Sequence, residues 1–448
     1  MRNRIGFISL GCCKNLVDAE RIMTLLTSNG YVIAGNYAAS DLIIINTCGF
    51  INPSIQESFD SIGEALETGK KIVITGCLGA RAAFIRDHYP QSSIVGITGP
   101  HSYNAVFDLV KNALPLPRKT FLDISQVPNP GVKLTPPHYS YLKISEGCSN
   151  KCTFCAIPHL RGPMVSRQIA DVMGETDRLI ARGAKEIMVV AQDTLDYGRD
   201  IGFAESLYKG VNFRADFMTL LDFLSRKDAW IRLHYLYPYP VIRKIIPYLK
   251  NTSIVPYLDM PLQHASPDVL KRMRRPGNMD RLAESILAWR EEIPDLCIRS
   301  TFIVGFPGET DDDFRQLLDF IGKVKMQRVG CFQYSPVHGV AANDLPDQIP
   351  DQVKEERWNI FMQEQQKISL ELMRDKIGSL QDAIVDEYDE EEGLLVARTR
   401  YDSPEIDGNI FIPDTADLGA GAVGKVLKVR VTDADEYDLR GELPPDGE

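Results

Sequence analysis

The first 115 residues of the chain alternate short apolar runs with amphipathic stretches. Parallel strands that are buried on both faces are rich in Val, Ile and Leu, whereas surface helices repeat their apolar residues every three to four positions. The helical spacing covers residues 15–30 and ends at Asn29-Gly30. Three runs have the character of buried strands: RIGFISLGC (4–12), DLIIINTC (41–48) and KIVITGC (71–77). This alternation predicts a doubly wound α/β domain with a parallel sheet over residues 1–115.

Residues 116–138 are dense in proline and predict a linker, after which the alternation resumes at a longer pitch. Six further runs have strand character: YSYLKISEGC (139–148), KEIMVVAQD (185–193), WIRLHYLYP (230–238), SIVPYLDMPL (253–262), CIRSTFIVGF (297–306) and RVGCFQYSP (328–336). Six βα units predict a partial (β/α)6 barrel within residues 139–373, with its site at the carboxyl ends of the strands. A long polar helix is predicted over 351–376.

The C-terminal segment, residues 374–448, changes character again. Five short strand-like runs follow one another with Gly and Asp turns: LQDAIVDEY (380–388), GLLVARTRY (393–401), GNIFIP (408–413), GKVLKVRVTDA (424–434) and EYDLRGEL (436–443). Five strands in so short a segment predict a small closed β-barrel of the OB-like kind.

Charge is distributed unevenly between this segment and the rest of the chain. Residues 374–448 contain eight Lys/Arg and twenty Asp/Glu, a net charge of −12, so that residues 1–373 carry +1. An acidic appendage disfavours contact with a nucleic-acid backbone and favours a basic protein partner. A solvated face that aids solubility is the alternative interpretation.

No apolar run is long enough to span a bilayer, and the N-terminus has no apolar signal-peptide core. These features predict a cytoplasmic protein with no membrane partner, in which thiols stay reduced. Nine cysteines in a reduced compartment indicate metal binding or catalysis rather than disulfides.

A loop at the end of the first barrel strand contains three cysteines within eight residues: Cys148, Cys152 and Cys155. Thiolates select zinc, copper(I) or iron–sulfur. A 4Fe–4S cluster normally takes four cysteines, so that three would leave one iron open to a small molecule. A zinc site is the alternative, and it needs a fourth ligand, for which His159 is the nearby candidate.

A second cysteine trio, Cys12, Cys48 and Cys77, is scattered in sequence, yet each member directly ends a predicted parallel strand. Carboxyl ends of adjacent parallel strands converge on one crevice, so we expect the three thiols to meet there. A second cluster with an open iron is the economical interpretation, and burial as small apolar side chains is the alternative. The other cysteines considered are expected only to pack: Cys13, Cys297 and Cys331.

The segment EGCSNKCTFCAIPHLRGPMVSR (146–167), followed by the βα units, resembles the radical S-adenosylmethionine (SAM) enzymes. With the strand-end cysteines and the small C-terminal barrel, the whole chain resembles the methylthiotransferase family of that superfamily, which has an N-terminal cluster domain, a radical SAM core and a TRAM domain. The resemblance implies two 4Fe–4S clusters, one on each cysteine trio, and two SAM molecules per turnover.

The family chemistry implied by this resemblance uses both clusters. One SAM methylates a sulfur carried by the N-terminal cluster, and the second yields a radical that removes hydrogen from an unactivated C–H, to which a methylthio group is transferred. An electron donor such as flavodoxin or ferredoxin is implied. Candidate contacts to SAM are Phe154, Gln192, Asp193, Gly305 and Gly308. Asp193 is equally typical of a turn, and the glycines of a turn before a helix capped at Thr310.

Several stretches resemble the branch of the family that methylthiolates the β-carbon of an aspartate in small-subunit ribosomal protein S twelve. They are LGCCKNLVDAE (10–20), VAQDTLDYG (190–198), RRPGN (274–278) and DSPEIDGNIFI (402–412). The acidic C-terminal segment agrees with a basic protein substrate. Cys13 and His338 depart from the family pattern, and neither is an expected cluster ligand. A tRNA adenosine 2-methylthiotransferase is the alternative of the same chemistry, and a non-enzymatic adaptor that binds zinc and RNA is the alternative from another class.

Overall fold

A computed structural model describes residues 3–90, 93–115, 132–250, 252–275 and 277–445. The described residues divide into two compact units, and most of the predicted linker, residues 116–131, lies outside them. Unit one takes those of Met1–Thr135, Ser145–Val165 and Ser335–Asn343; unit two takes those of Pro136–Ile144, Ser166–Tyr334 and Asp344–Glu448. The loop with three cysteines therefore belongs to unit one.

The strands are, in chain order, β1 (Arg4–Ser9), β2 (Val32–Ala34), β3 (Leu42–Thr47), β4 (Lys71–Gly76), β5 (Ile94–Ile97), β6 (Tyr139–Lys143), β7 (Ser145–Glu146), β8 (Val165–Ser166), β9 (Glu186–Val190), β10 (Glu205–Tyr208), β11 (Val211–Arg214), β12 (Trp230–Leu233), β13 (Ile254–Asp259), β14 (Cys297–Val304), β15 (Arg328–Gln333), β16 (Leu380–Asp389), β17 (Leu394–Thr399), β18 (Ile410–Pro413), β19 (Val426–Ala434) and β20 (Leu439–Glu442).

The α-helices are α1 (Cys13–Ser28), α2 (Asn52–Glu67), α3 (Ala82–His88), α4 (Tyr103–Ala113), α5 (Ile157–Arg161), α6 (Ile169–Ala181), α7 (Phe217–Leu224), α8 (Ile242–Ile245), α9 (Pro267–Arg272), α10 (Met279–Glu292), α11 (Asp311–Val324) and α12 (Asp351–Arg374). Within the described part of the chain, none of the helices is both long and apolar enough to cross a membrane.

Unit one is built on a parallel sheet with the strand order β2-β1-β3-β4-β5. Its central strand alternates its side chains between two cores: Leu42 and Ile44 face α1 and α4, whereas Ile43 and Ile45 face α2 and α3. The predicted doubly wound layer is thus confirmed. The prediction missed β2 and β5, which are only three and four residues long.

The six predicted barrel strands form one parallel sheet of unit two in the order β6-β9-β12-β13-β14-β15. Neighbours in the sheet are also neighbours among these strands in sequence, as repeated βα units require. The hairpin β10–β11 was not predicted. Its strands alternate half-buried and exposed side chains and present no buried run, and its turn, Lys209-Gly210, has positive φ at both residues.

The five strands of the C-terminal segment close into a barrel in the order β16-β17-β18-β20-β19, as predicted. Its interior is filled by small and branched side chains, among them Ala383, Val385, Leu395 and Ile412. The polar helix α12 precedes the barrel and adds Met373 to its core.

A buried ionic network ties the barrel to the six-stranded sheet within unit two. Glu186 accepts from Arg232 Nε and from Arg398 Nη1, each at 2.7 Å, and all three side chains are almost fully buried. Arg398 also pairs with Asp386, which accepts from His138 at 2.7 Å. Burial disfavours the charged form of both carboxylates. At Glu186 the two arginines outweigh the effect of burial, and at Asp386 His138 and Arg398 outweigh it. Both carboxyl groups therefore have a pKa below their ordinary range.

Replacing Arg398 by Met should lower the free energy of unfolding by about 3–5 kcal/mol, because buried carboxylates would lose their partner. Both carboxyls have a depressed pKa in the folded chain, so their stabilisation is present above their ordinary pKa values and is lost as the pH falls through the folded ones. The variant should therefore lose less stability than the parent between neutral pH and about pH 3, as measured by urea unfolding. Lys428→Met, which removes an exposed pair with Asp382, is the control and should cost less than about 1 kcal/mol. Equal losses in both variants would contradict this prediction.

Candidate metal centre

Three strand ends of unit one carry the scattered cysteines. Cys12 follows β1 and caps the N-terminus of α1, Cys48 directly follows β3, and Cys77 directly follows β4. Since β1 and β3 are neighbours while β2 lies on the far side of β1, the chain reverses its winding direction between them. The crevice outside such a switch point is where open α/β sheets bind ligands.

The backbone at these strand ends places the three cysteines on neighbouring strands. A Cβ added to Gly11, which has φ +93°, would lie 3.1 Å from the sulfur of Cys48. The backbone N–H of Cys77 donates to the carbonyl of Thr47 at 2.9 Å, so that Cys48 and Cys77 leave adjacent strands side by side. The predicted convergence of the trio therefore has a direct geometric basis in the parallel sheet.

The thiols of Cys12 and Cys77 have opposite pKa shifts. Cys12 is exposed to solvent, but the protein around it still disfavours its charged form. The charges of Lys14 and Arg161, together with the first N–H groups of α1, outweigh this effect and lower the pKa of Cys12. Burial raises the pKa of Cys77 to about 12, opposed by Arg161 and reinforced by the charges of Cys12 and Cys48. Cys12 and Cys48 are thus near enough to Cys77 for their charges to raise its pKa.

The other trio lies on a tight loop between β7 and α5. The N–H of Cys148 donates to the carbonyl of Gly162 at 3.1 Å, and the N–H of Cys155 donates to that of Cys152 at 3.2 Å. Cys148 is buried, whereas Cys152 and Cys155 are partly exposed. Ala156 and Leu160, which follow this loop, pack with Cys77 of the first trio in an apolar cluster of unit one that also contains Val337 and Val340.

Gly147 allows this loop to approach its own return segment. It has φ +73°, and a Cβ there would overlap the carbonyl oxygen of Pro163 and lie 2.6 Å from that of Gly162. Because backbone cannot yield as a flexible side chain can, Gly147→Ala should displace Cys148 and roughly halve the bound iron, leaving the strand-end trio loaded. Iron analysis of the purified variant checks this, with Gly183→Ala, whose added Cβ meets nothing, as the control of similar φ. Full iron in Gly147→Ala would contradict it.

The distances between the sulfur atoms of each trio distinguish a site for one zinc ion from a site for an iron–sulfur cluster. Tetrahedral zinc with bonds of about 2.3 Å holds its sulfurs about 3.8 Å apart. Among the described residues, the one set of three Cys, His, Asp or Glu side chains with ligand atoms all within 4.8 Å of one another is Asp18, His101 and Glu146. In neither cysteine trio do all three sulfur atoms lie as close together as ligands of a single ion. A multi-iron cluster holds its thiolate sulfurs farther apart. The soft donor set also fits iron–sulfur.

Arg161, at the end of α5, bonds to residues close in sequence to both trios, and its place in the 146–167 segment is the one sequence signal that could have singled it out. Its guanidinium donates to Glu146 at 2.6 Å, to Asp18 at 3.2 Å and to the side-chain oxygen of Asn15. The same oxygen of Asn15 lies 3.6 Å from the sulfur of Cys77. Because Arg161 already serves both carboxylates, the set with His101 is not open to a cation.

The candidate SAM contacts are divided between the units. Phe154 lies half-buried in the loop of unit one; the others belong to unit two. Gln192 and Asp193 follow the carboxyl end of β9, and Asp193 accepts from Tyr239 at 2.9 Å. Gly305 and Gly308 follow β14.

Protein side chains contact both of those glycines. A Cβ at Gly305 would overlap Lys354, and one at Gly308 would overlap the guanidinium of Arg272. The predicted helix cap is confirmed, because Thr310 and Asp313 form a capping box at the start of α11. Packing and capping thus account for the local backbone, and contact with SAM stays a prediction for these positions.

The remaining cysteines behave as expected of packing residues. Cys297 and Cys331 are buried within β14 and β15, where burial raises the pKa of each. Cys13 begins α1 and is partly exposed. His234 is also structural, since its ring contacts Asp259 at 3.1 Å and Ser403 at 3.1 Å.

Family models match three parts of the chain. The radical SAM superfamily matches residues 142–321, the uncharacterized protein family UPF0004 matches residues 4–96, and the TRAM domain matches residues 377–443. The first of these contains the loop trio, and the second contains all three strand-end cysteines.

Curated relatives extend over nearly the whole chain. A protein of Histophilus somni named ribosomal protein uS12 methylthiotransferase RimO is 51% identical over 443 residues, which cover 98% of this chain and 99% of that protein. Proteins of the same name from Salmonella typhi and Cronobacter sakazakii are 50% identical over 438 and 440 residues, covering 98% of each chain.

A solved structure supports the fold. The radical SAM methyltransferase TsrM from Kitasatospora setae, with cobalamin and a 4Fe-4S cluster bound, aligns with a TM-score of 0.52 over 85% of this chain and 81% of that chain. The two sequences are 12% identical, so the likeness concerns the fold alone.

Proposed function

Because the chain belongs to the RimO family of ribosomal protein uS12 methylthiotransferases, we propose that its two cysteine trios hold the two clusters of that reaction. The chain is a SAM-dependent transferase that adds a methylthio group to the β-carbon of an aspartate in uS12, using two 4Fe–4S clusters and two SAM molecules per turnover. In the proposal, Cys12, Cys48 and Cys77 ligate one cluster, and Cys148, Cys152 and Cys155 ligate the other.

The observation that carries the proposal is that both trios lie in unit one, where Cys77 packs in one apolar cluster with Ala156 and Leu160, which follow the loop trio in sequence. Each supplies three thiolates, so that one iron of each cluster has no cysteine. When bound, the loop cluster supplies an electron for SAM cleavage, and the strand-end cluster carries the sulfur that is transferred. The residues of the chain fix where those two open positions lie and exclude water from the sulfurs that are buried.

SAM contacts are proposed at the carboxyl end of the six-stranded sheet. Gln192 and Asp193 follow β9, and Gly305 and Gly308 follow β14, so that all four lie where barrel enzymes bind their substrates. Phe154, next to Cys155, is proposed as the contact from the cluster loop.

The proposed division of labour follows the predicted domains. Residues 1–115 carry the strand-end cluster, 116–138 link, 139–373 form the radical SAM core, and 374–448 form the TRAM barrel. The charge of −12 in the last segment supports a role in meeting a basic ribosomal protein, because complementary charge favours encounter and orientation. The same charge opposes tRNA phosphates, so the tRNA alternative is not favoured.

An electron donor and a cellular location are proposed from the chemistry. Reduction of the loop cluster requires an electron donor, for which a flavodoxin or ferredoxin is suitable. Modification of a ribosomal protein supports a cytoplasmic location, because ribosomes are assembled in the cytoplasm.

Anaerobic purification tests the cofactor assignment directly. Two 4Fe–4S clusters predict brown protein with about eight irons per chain, and no stoichiometric zinc. Iron and zinc are measured together by elemental analysis, and the cluster type by electron paramagnetic resonance after reduction. Colourless protein with zinc in place of iron would overturn the assignment and favour the adaptor alternative.

A further inference from the structure

Arg161 is a buried cation near the cysteines of unit one, and its side chain is 1% exposed. The carboxylates of Glu146 and Asp18 flank it at 2.6 and 3.2 Å, and Asn15 accepts a third hydrogen bond. Burying three charges together costs desolvation energy that well-packed apolar residues would avoid. An ionic group at this position therefore calls for an explanation beyond stability.

We propose that Arg161 is a positioning residue that fixes the strand-end trio to the cluster loop and sets the reduction potential of the strand-end cluster. The proposal rests on the cluster assignment of the six cysteines made above. It concerns one side chain, whose guanidinium reaches groups next to both trios at once.

The contacts of Arg161 on the side of the strand-end trio run through Asn15. The amide nitrogen of Asn15 donates to the carbonyls of Leu10 at 2.8 Å and Thr47 at 3.0 Å, and its oxygen accepts from Arg161. Those carbonyls lie just before Cys12 and Cys48, at the ends of β1 and β3. Holding Asn15 therefore holds the backbone from which two of the three thiols project.

On the side of the loop trio, the groups that hold Arg161 are also close in sequence to the cysteines. Glu146 stands two residues before Cys148, and α5, which ends at Arg161, begins two residues after Cys155. The ion pair of Glu146 with Arg161 thus closes the loop on itself. A planar guanidinium can serve Glu146, Asp18 and Asn15 together, which a lysine ammonium on a flexible stem does less well.

The charge of Arg161 acts on the strand-end sulfurs. Its guanidinium donates to the side-chain oxygen of Asn15, and that same oxygen lies 3.6 Å from the sulfur of Cys77. A buried positive charge near a cluster favours the reduced state, because reduction adds a negative charge, and net charge and hydrogen bonding are what set such potentials. Loss of Arg161 should lower the potential, and loss of the opposing carboxylate of Glu146 should raise it.

The test uses the full chain with Cys148, Cys152 and Cys155 replaced by alanine, which leaves only the strand-end cluster. Its midpoint potential is measured by redox titration followed by electron paramagnetic resonance, with iron content and thermal unfolding measured in parallel. Arg161→Gln should change the ratio of oxidised to reduced cluster at a fixed potential at least tenfold, equivalent to about 59 mV downward for one electron. Arg161→Lys, which keeps the charge, should restore at least half of that shift.

Two further variants keep the test decisive. Glu146→Gln should shift the midpoint potential upward. Arg290→Gln is the control and should leave the potential unchanged. It removes a half-buried arginine of unit two that donates to the carbonyls of Val324 and Lys325. If Arg161→Gln does not fold, the sign of the Glu146→Gln shift decides. Unchanged potentials in iron-loaded variants, or shifts of the same sign in both, would overturn this inference alone. A parent without iron would overturn the cluster assignment itself.

Discussion

Replacing Cys12, Cys48 and Cys77 together by alanine should abolish methylthio transfer to uS12 while SAM cleavage continues at the loop trio. Iron should fall from about eight to about four per chain, because one of two 4Fe–4S clusters is lost. The physical reason is the division of ligands: the strand ends hold one trio, and the loop after β7 holds the other. The product 5′-deoxyadenosine is measured by liquid chromatography, and modified uS12 by mass spectrometry.

Cys13→Ala is the matched control for this experiment. Cys13 adjoins Cys12 but begins helix α1 rather than ending strand β1. The Cys13→Ala variant should therefore retain both iron and transfer activity. Continued methylthio transfer by the triple variant would show that the strand-end trio does not hold the transferred sulfur. Loss of all iron would show that the two trios do not load independently.

Cys152→Ala, unlike the triple variant, should abolish both SAM cleavage and methylthio transfer. With two thiolates left in the loop, its cluster should be lost, while the strand-end trio keeps about four irons. The same two products are measured after anaerobic reduction. Ser149→Ala is the control, because it alters the same loop and removes only a hydrogen bond at 3.3 Å from the N–H of Met164. SAM cleavage at the parent rate by Cys152→Ala would contradict the role of the loop.

The sequence was sufficient to predict the parallel layers and the convergence of Cys12, Cys48 and Cys77. Buried parallel strands are continuous aliphatic runs, and a residue that ends such a strand has its place fixed by the sheet. The strand order that puts β1 beside β3 then makes the crevice at their ends. The closed C-terminal barrel was predictable for a related reason, since short strands separated by Gly and Asp turns leave few other ways to cover their edges.

Contacts between distant segments were not predictable. The side chain of Arg161 contacts residues of α1 and β7. No periodicity in the sequence predicts that a charged residue is buried at this position. The hairpin β10–β11 was missed because neither of its strands contains a fully buried side chain. In both cases tertiary surroundings, rather than local pattern, decide the structure.

The central claim is that the substrate is the aspartate of uS12 and not an adenosine of tRNA. The most direct measurement compares a strain that lacks the gene with the same strain carrying it, weighing intact uS12 and digested tRNA nucleosides from each. We expect uS12 to lack the mass of one methylthio group without the gene and to regain it with the gene, while the methylthiolated nucleosides are the same in both. Methylthio groups missing from tRNA, with uS12 unaffected, would contradict this account.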